Sequence, residues 1–356
     1  MSQTVGATVA SRYSLVAPIG DGAMGSVWRA YDSGLEIEVA LKLLRNTGAD
    51  RATMLSRFAR EAELSARMLS PNVVRVLDRG VDDAGAPYIA YELLEGDELG
   101  ERLTREGRVS LAICAAVVVQ SCRALARAHA VGVVHQDIKP ENIFVCQEDD
   151  GRPLVKLIDF GIAQLARPAN ATGPRESVGG TLEYMAPEVL RGGKTADARS
   201  DLYGLGVVAY ECFTGRVPFP GETLSDVIAA HAKGPPPAAS SLRAVKDGLG
   251  AALDGWFDKA LQHDPAQRFQ SAKEMAEAFV HVHRPKVAHA PTSARDAVVD
   301  PDTPAPHKMR GTFPSLSEID LTEQQPASAP PSGRRVSSYS VISETNEPRQ
   351  SQKKRT

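Results

Sequence analysis

The sequence predicts an α+β fold, with a small β-rich lobe followed by a larger helical lobe. Two observations support this class. Before residue 92, short apolar stretches with strand-like alternation are separated by turns, one of them rich in glycine. After Gly96, apolar residues recur at helical spacing over longer stretches. Of the 356 residues, 42% are hydrophobic, which is enough for a sizeable core.

The small lobe, residues 13–91, is predicted to contain five strands and one helix. The strands are expected at Tyr13–Val16, Ser26–Ala30, Ile37–Leu44, Val73–Leu77 and Pro87–Tyr91. The helix is expected at Met54–Leu69, where apolar residues lie near one face. Residues 1–12 are small and polar, and we expect them to be disordered.

A short connection, residues 92–95, leads into the large lobe, residues 96–283. Its main helices are expected at Leu111–His129, Leu202–Phe213, Leu253–Gln262 and Ser271–His281. From residue 284 the composition changes, since ten of the 24 prolines fall between Pro285 and Pro348. A segment of this kind cannot bury enough apolar surface to offset the entropy of ordering, so residues 284–356 are predicted to be a disordered tail.

Charge and apolar patterning narrow the range of partners. The net charge of −3 gives no reason to expect nucleic acid or an anionic membrane. The apolar stretch Leu111–Val119 is shorter than the ~20 residues that a membrane span needs, so no span is expected. No signal peptide is visible, and no cysteines form a C-x-x-C pair. We therefore expect a cytoplasmic location with reduced, mostly buried cysteines at 114, 122, 146 and 212.

The segment 135–142 reads HQDIKPEN, and DFG follows at 159–161. Asp137 could accept a proton from a hydroxyl, Lys139 lies two residues on, and Asn142 and Asp159 could hold a metal ion on a nucleotide phosphate. Phosphoryl transfer requires mainly in-line positioning and positive charge near the phosphate oxygens. A capping role would explain a single aspartate but not this whole segment.

A glycine-rich turn lies between the first two predicted strands. It consists of Gly20, Asp21, Gly22, Ala23, Met24, Gly25, Ser26 and Val27. The G-x-G-x-x-G spacing is weak evidence alone, because a plain hairpin turn would also produce it. A dinucleotide site would need a helix after the turn, and here a strand follows. The arrangement favours a flap whose backbone N–H groups close over phosphate oxygens.

Lys42 lies on the third predicted strand among apolar neighbours. A single lysine on a strand is usually a solvated edge residue, but these neighbours favour burial with an acidic partner. Glu61 on the predicted helix is the preferred partner. Glu63 is the alternative, although two residues along a helix it points to a different face.

These segments resemble the catalytic loop and the metal-binding loop of protein kinases. From about Tyr13 to about His283, the chain resembles the bacterial eukaryotic-like serine/threonine protein kinases. Lys139, two residues after the aspartate, is typical of the serine/threonine class. The resemblance implies a two-lobed protein-kinase-like fold, ATP and Mg²⁺ as cofactors, and protein substrates with Ser or Thr. It also suggests self-association and autophosphorylation.

The resemblance implies a role for each residue of the phosphate site. Asp137 would be the catalytic base, and Lys139 would neutralise charge on the transferred phosphate. Asn142 and Asp159 would hold the metal ion. Lys42, held by Glu61, would contact the α- and β-phosphates.

The resemblance also implies a nucleotide slot and a scaffold. Val27 and Ala40 would lie above the adenine and Phe144 below it, although ordinary core packing would explain these three equally well. Main-chain groups of Glu92 and Leu94 would meet the adenine edge. Tyr91 would close the rear of the slot. In the scaffold, Glu188 of Ala186-Pro187-Glu188 would pair with Arg268, and Asp201 would anchor the catalytic loop. Thr181 would bond Asp137 and Lys139.

One position departs from the family pattern. The family loop normally reads H-R-D, and its arginine usually contacts a phosphate on the activation loop, whereas Gln136 has no charge. We therefore expect that activation does not depend on this contact. Within 162–178 the hydroxyl side chains are Thr172 and Ser177.

Two features of the tail have competing interpretations. Arg334-Arg335-Val336-Ser337 resembles a site favoured by basophilic kinases, or is a chance match. The segment 312–319 contains the tail's one phenylalanine and could bind a partner groove, or have no such role. For the whole chain, a non-catalytic scaffold and a small-molecule kinase are the alternatives to a protein kinase.

Overall fold

The computed structural model describes residues 4–22, 25–44, 68, 70–83, 85–160, 181–192, 196–243 and 249–283. These residues form a β-rich small lobe and a helical large lobe, so the predicted α+β class is confirmed. The strands are β1 (Thr8–Val9), β2 (Tyr13–Gly22), β3 (Gly25–Asp32), β4 (Ile37–Leu44), β5 (Val76–Val81), β6 (Pro87–Glu92), β7 (Gly96–Glu98), β8 (Ile143–Gln147) and β9 (Pro153–Leu157). The helices are α1 (Leu99–Glu106), α2 (Leu111–Ala130), α3 (Pro187–Leu190), α4 (Ala198–Thr214), α5 (Leu224–Ala232), α6 (Ala239–Leu242), α7 (Leu249–Ala260) and α8 (Ala272–His283).

The sheet of the small lobe is antiparallel in the order β1-β2-β3-β4-β6-β5, as far as the described residues show. Strands β4 and β6 lie where the sequence predicts them, and β2 and β3 extend beyond the predicted bounds. β6 ends at Glu92 and β7 begins at Gly96, which matches the predicted connection at 92–95. β7, β8 and β9 form a second, smaller antiparallel sheet beneath this connection.

The expectation of disorder for residues 1–12 is wrong over 4–12. Here β1 pairs with the start of β2, and the N–H of Gly6 donates to the carbonyl of Leu15 at 2.8 Å. The guanidinium of Arg12 donates to both oxygens of Asp32, at 2.6 and 2.8 Å, and to Asp78 at 3.0 Å. Two contacts that composition alone does not reveal hold the segment: the ion pairs of Arg12, and the burial of Val9 in the core of the small lobe.

The strand predicted at Val73–Leu77 is displaced toward the C-terminus, since β5 begins at Val76. The preceding residues pair with β9 instead. The N–H of Val74 donates to the carbonyl of Leu157 at 3.0 Å, and the N–H of Leu157 donates to the carbonyl of Asn72 at 2.9 Å. The apolar pattern correctly indicated that Val73 and Val74 are buried. It could not show that this segment pairs with β9 and lies outside β5.

The large lobe is built around α2. Ser110 caps this helix, accepting a hydrogen bond from the N–H of Ile113 at 3.3 Å. α2 packs against α4, α8 and β9. The helices predicted at Leu111–His129, Leu202–Phe213, Leu253–Gln262 and Ser271–His281 are confirmed as α2, α4, α7 and α8, with bounds that differ by up to four residues.

Within the described residues, α2 is one helix whose 20-residue length and apolar composition would suffice to cross a membrane. It is longer than the apolar stretch on which the sequence expectation was based. Most of it is buried, and its central residues, including Val117 and Val118, belong to the main core of the large lobe. α2 therefore has the burial expected of a core helix in a folded lobe.

All four cysteines are buried free thiols, as predicted. Burial raises the pKa of Cys146 to about 11, which favours the protonated form. Several predictions fall outside the described residues: the greater part of the helix at Met54–Leu69 with Glu61 and Glu63, the turn residues Ala23 and Met24, the hydroxyl residues Thr172 and Ser177, and the tail, residues 284–356.

Candidate active site

The buried carboxylate of Asp201, near the start of α4, anchors the loop that contains Asp137. Oδ2 of Asp201 accepts the N–H of His135 at 2.8 Å, and Oδ1 accepts the N–H of Gln136 at 2.7 Å. His129 lies 2.8 Å from the same Oδ2. This is the anchoring geometry that the family resemblance implies. The capping box of Asp197 and Ser200 fixes the start of α4 and thereby the position of Asp201.

The backbone of Gln136 is left-handed, with φ of 67°. For a residue with a β-carbon this conformation costs about 1–2 kcal/mol. The bond from its N–H to Asp201 offsets this cost and holds the turn that presents Asp137. The sequence singled out Gln136 for its missing charge, but the structure shows that its backbone also has a specific role.

Asp137 is held through one of its two carboxylate oxygens. Nδ2 of Asn142 donates to Oδ2 of Asp137 at 2.9 Å and to its main-chain carbonyl at 2.7 Å. Nζ of Lys139 lies 3.2 Å from the same Oδ2. Oδ1 is therefore the oxygen that can turn toward a hydroxyl group, and Asp137, Lys139 and Asn142 form one cluster.

Asp159 lies just beyond β9, with a left-handed backbone (φ of 58°). Its Oδ1 accepts a hydrogen bond from Nζ of Lys42 at 2.8 Å. This contact joins β4 of the small lobe to the metal-binding loop. The proposed partner Glu61 lies outside the described residues, so the Lys42–Glu61 pair stays a prediction.

Buried His135 connects the two loops of the site. Its Nε2 is 3.0 Å from the carbonyl of Ile158, and its ring centroid is 4.5 Å from that of Phe160. In addition, the N–H of Ile158 donates to the carbonyl of Asn142 at 3.0 Å. The segments 135–142 and 158–160 thus form one hydrogen-bonded unit, which brings the side chains of Asp137 and Asp159 to the same cleft.

The residues nominated for the adenine slot share one buried cluster. Val27 from β3, Ala40 from β4 and Phe144 from β8 pack with Tyr91 and Leu94. The structure thus brings small-lobe and large-lobe residues together on both sides of the 92–95 connection. Their role in binding stays a prediction. The cluster has five further buried members that the sequence did not indicate: Ile19, Val74, Ile89, Cys146 and Ile158.

The glycine-rich turn joins β2 and β3, with Gly20 opposite Val27, Asp21 opposite Ser26 and Gly22 opposite Gly25. A β-carbon at Gly25 would collide with the main-chain carbonyl of Leu43 on β4. Glycine is therefore required at position 25 by the close approach of two strands, whatever lies above the turn. Sequence reasoning attributed this glycine to phosphate access alone.

The scaffold pair predicted between Glu188 and Arg268 is present. Nη1 and Nη2 of Arg268 donate to Oε1 and Oε2 of Glu188 at 2.9 and 2.7 Å, and Ser200 donates to Oε1 at 2.9 Å. Burial would by itself raise the pKa of Glu188, but the bonds from Arg268 outweigh it and lower that pKa. Thr181 begins the short 3₁₀ turn Thr181–Tyr184, and its side chain lies outside the described set.

A group of carboxyls that no sequence pattern indicated lies beside the catalytic loop. The hydroxyl of Tyr184 donates to Oε2 of Glu211 at 2.6 Å. Burial raises the pKa of Glu211 to about 7, and the neighbouring charges of Glu141 and Glu183 add to this shift against the opposing Tyr184 bond. Glu141 belongs to the 135–142 segment, but no local pattern links it to a residue on α4.

The oxygen donors of Asn142 and Asp159 fit a hard divalent cation. Among the described residues no group of three or more His, Cys, Asp or Glu could hold a metal ion by itself. Because Nδ2 of Asn142 is bound to Asp137, its Oδ1 is the atom that can face a cation. One amide oxygen and one carboxylate suit a cation that takes its other ligands from phosphate and water.

Residues 13–280 match the family model described as protein kinase domain. The chain is 35% identical over 316 residues to the probable serine/threonine-protein kinase PknB of Corynebacterium glutamicum, covering 87% of this chain and 48% of that protein. It is 38% identical over 273 residues to the serine/threonine-protein kinase pkn3 of Myxococcus xanthus, covering 76% and 49%. The chain therefore spans about half the length of these curated relatives.

The structure is also similar to that of a solved kinase domain, PknI of Mycobacterium tuberculosis. The TM-score is 0.60 at 29% sequence identity, and the match covers 79% of this chain and 100% of that domain. The two-lobed architecture and the sequence match therefore identify the same family.

Proposed function

This chain belongs to the protein kinase family, and we propose that it is an ATP-dependent serine/threonine protein kinase. The observation that carries the proposal is the hydrogen-bonded unit formed by segments 135–142 and 158–160, which contain Asp137, Asn142 and Asp159, with Lys42 bound to Asp159. These four side chains are among those to which the family resemblance assigns phosphoryl transfer, and their presence in connected segments supports the proposal. The curated relatives are named serine/threonine-protein kinases, which supports the choice of acceptor.

In the proposed reaction, Asp137 orients the acceptor hydroxyl and takes its proton through Oδ1. Lys139, which lies 3.2 Å from Oδ2, stabilises negative charge on the phosphoryl group in transfer. Lys42 places the phosphates of the nucleotide from the opposite lobe. Positioning of this kind can contribute on the order of 7–11 kcal/mol toward lowering a barrier.

We propose Mg²⁺ as the cation, held by Oδ1 of Asn142 and the carboxylate of Asp159. When bound, it would neutralise charge on the phosphate oxygens. The fit of these donors supports a hard cation, and Mg²⁺ in particular is an expectation from the family.

Labelled ATP separates this function from its alternatives. The full-length protein is incubated with labelled ATP, an unfolded acceptor protein rich in Ser and Thr, and a panel of small hydroxyl compounds. We expect label in protein, and its loss in Asp137→Ala. Asp150→Ala is the matched control because Asp150 lies in the exposed turn between β8 and β9, where it contacts Arg152. Label in small compounds only would indicate a small-molecule kinase, and no transfer would indicate a scaffold.

We also propose autophosphorylation in the tail, at Ser337 or its neighbours, by a cytoplasmic enzyme that associates with itself. The support is the Arg334-Arg335-Val336-Ser337 sequence, in which two arginines precede a serine. Phosphopeptide mapping after incubation with ATP should find this region modified in the wild type and unmodified in Asp137→Ala. A rate per molecule that rises with protein concentration would support transfer between two copies, and an unmodified tail would contradict the proposal.

A further inference from the structure

An ion pair links Glu92, the first residue of the 92–95 connection, to Lys156 on β9. None of the proposed catalytic roles uses this pair. Nζ of Lys156 is 2.7 Å from Oε1 of Glu92, and the side chains are 12% and 21% exposed. The same Oε1 accepts the main-chain N–H of Arg75 at 2.8 Å. The N–H of Glu92 in turn donates to the carbonyl of Arg75 at 3.0 Å. Glu92 is therefore held by both its main chain and its side chain.

Lys156 reaches this position from β9, the strand paired with the β8 strand that carries the floor residue Phe144. On β9 it is directly opposite Phe144 of β8. Directly opposed residues of an antiparallel pair point to the same face, so the stem of Lys156 lies beside Phe144. The ion pair thus ties three parts of the slot together: the small-lobe residue Arg75, the first residue of the connection, and the floor.

The side chain of Glu92 has a different task from its main chain. Its main chain is the part predicted to meet the adenine edge, while its carboxylate points to Lys156. A charge-assisted hydrogen bond of 2.7 Å restrains position more strongly than a neutral one. Without Lys156, a partly buried carboxylate would keep only the amide of Arg75 and would be drawn toward water, moving the connection with it.

We propose that Lys156 is a positioning residue for the nucleotide: by holding the carboxylate of Glu92, it sets the separation between the 92–95 connection and the floor of the adenine slot at Phe144. This inference rests on the proposed function. It concerns binding of the adenine and leaves the phosphoryl-transfer step itself to Asp137, Lys139 and Lys42.

The test uses the full chain and Lys156→Met, which keeps the apolar stem and removes the charge. We expect the KM for ATP and the Kd for ADP to rise about fivefold to tenfold, with kcat within about twofold of the wild type. Lys156→Arg should restore both constants to within about twofold. Lys259→Met is the matched control, because it removes an exposed ion pair with Glu274 of 2.6 Å on the large lobe.

The remaining outcomes overturn the inference. They are an unchanged Kd for ADP in Lys156→Met, a fall in kcat without a change in KM, and a loss of affinity that Lys156→Arg does not rescue. If Lys156→Met does not fold, Glu92→Gln takes its place, because its amide oxygen can still accept the N–H of Arg75; an unchanged Kd for ADP there also overturns the inference. Wild-type protein that binds no ADP would instead defeat the proposed function.

Discussion

Arg268 and Glu188, 80 residues apart, form a two-bond ion pair with distances of 2.9 and 2.7 Å, and the side chain of Arg268 has no solvent exposure. The pair joins the segment after α7 to the start of α3. Arg268 also donates to the carbonyls of Gln262 and His263, at 2.6 and 3.0 Å. This single guanidinium therefore fixes the segment that leads to α4, and Asp201 of α4 in turn anchors the catalytic loop.

Removing Arg268 should destabilise the large lobe. In Arg268→Ala we expect the free energy of unfolding to fall by about 3–5 kcal/mol, because the partly buried carboxylate of Glu188 loses its partner. Urea unfolding measures the change. The control is Arg152→Ala, which breaks exposed, solvent-screened pairs in the β8–β9 turn and should have a much smaller effect on the free energy of unfolding. Equal costs for the two variants would contradict this account.

The same pair predicts a pH dependence. The pKa of Glu188 in the folded state lies below its ordinary value of 4.5. The unfolded chain therefore binds the proton more readily, so the ionised pair stabilises the fold above pH 4.5, and this contribution is lost as the pH falls through the lower folded pKa. Glu188→Gln should weaken the acid sensitivity of unfolding. If Glu188→Gln loses stability at acid pH to the same extent as the wild type, the ion pair does not make this contribution.

Glu211 should act in the opposite direction. Its pKa is raised from 4.5 to about 7, so the folded state holds the proton more tightly than the unfolded state. Stability should fall as the pH rises from about 4.5 to about 7, by about 3 kcal/mol at most. Glu211→Gln should remove this slope in urea unfolding, while Glu277→Gln on the exposed face of α8 should keep it. Parallel pH profiles for wild type and Glu211→Gln would refute this.

Tyr91 should limit access behind the adenine slot. It is 8% exposed and packs in the same cluster as Ala40. Tyr91→Ala should increase affinity for inhibitors with a large group behind the adenine by about tenfold or more. Tyr31→Ala, at an exposed tyrosine on β3, should leave inhibitor affinity unchanged. Tight inhibitor binding by the wild type that Tyr91→Ala does not alter would be the contrary result.

Gln136 leads to a prediction about activation. Because it lacks the charge that binds an activation-loop phosphate in the family, the double variant Thr172→Ala/Ser177→Ala should lose less than tenfold in phosphoryl transfer. A tenfold loss, about 1.4 kcal/mol in barrier, would show that phosphorylation of the loop still controls the enzyme. Initial rates with the unfolded acceptor protein provide the measurement.

Local sequence predicted the elements whose causes are local. The alternation over Ile37–Leu44 predicted β4 with its observed bounds. The 135–142 segment predicted a loop in which Asp137 and Asn142 act together, and their side chains are hydrogen-bonded. The ion pair of Lys156 with Glu92 and the bond of Tyr184 with Glu211 join residues 64 and 27 positions apart. Because each depends on how separate elements pack, no single segment contained a signal for it.

The central claim is that one carboxylate in the cleft accepts the proton of the acceptor hydroxyl. Single-turnover phosphoryl transfer with Asp137→Asn tests it most directly, alongside the affinity for ATP in the presence of Mg²⁺. The account predicts that transfer slows by about 10²–10⁴-fold while the protein still binds the nucleotide. Transfer at the wild-type rate in Asp137→Asn would contradict the account.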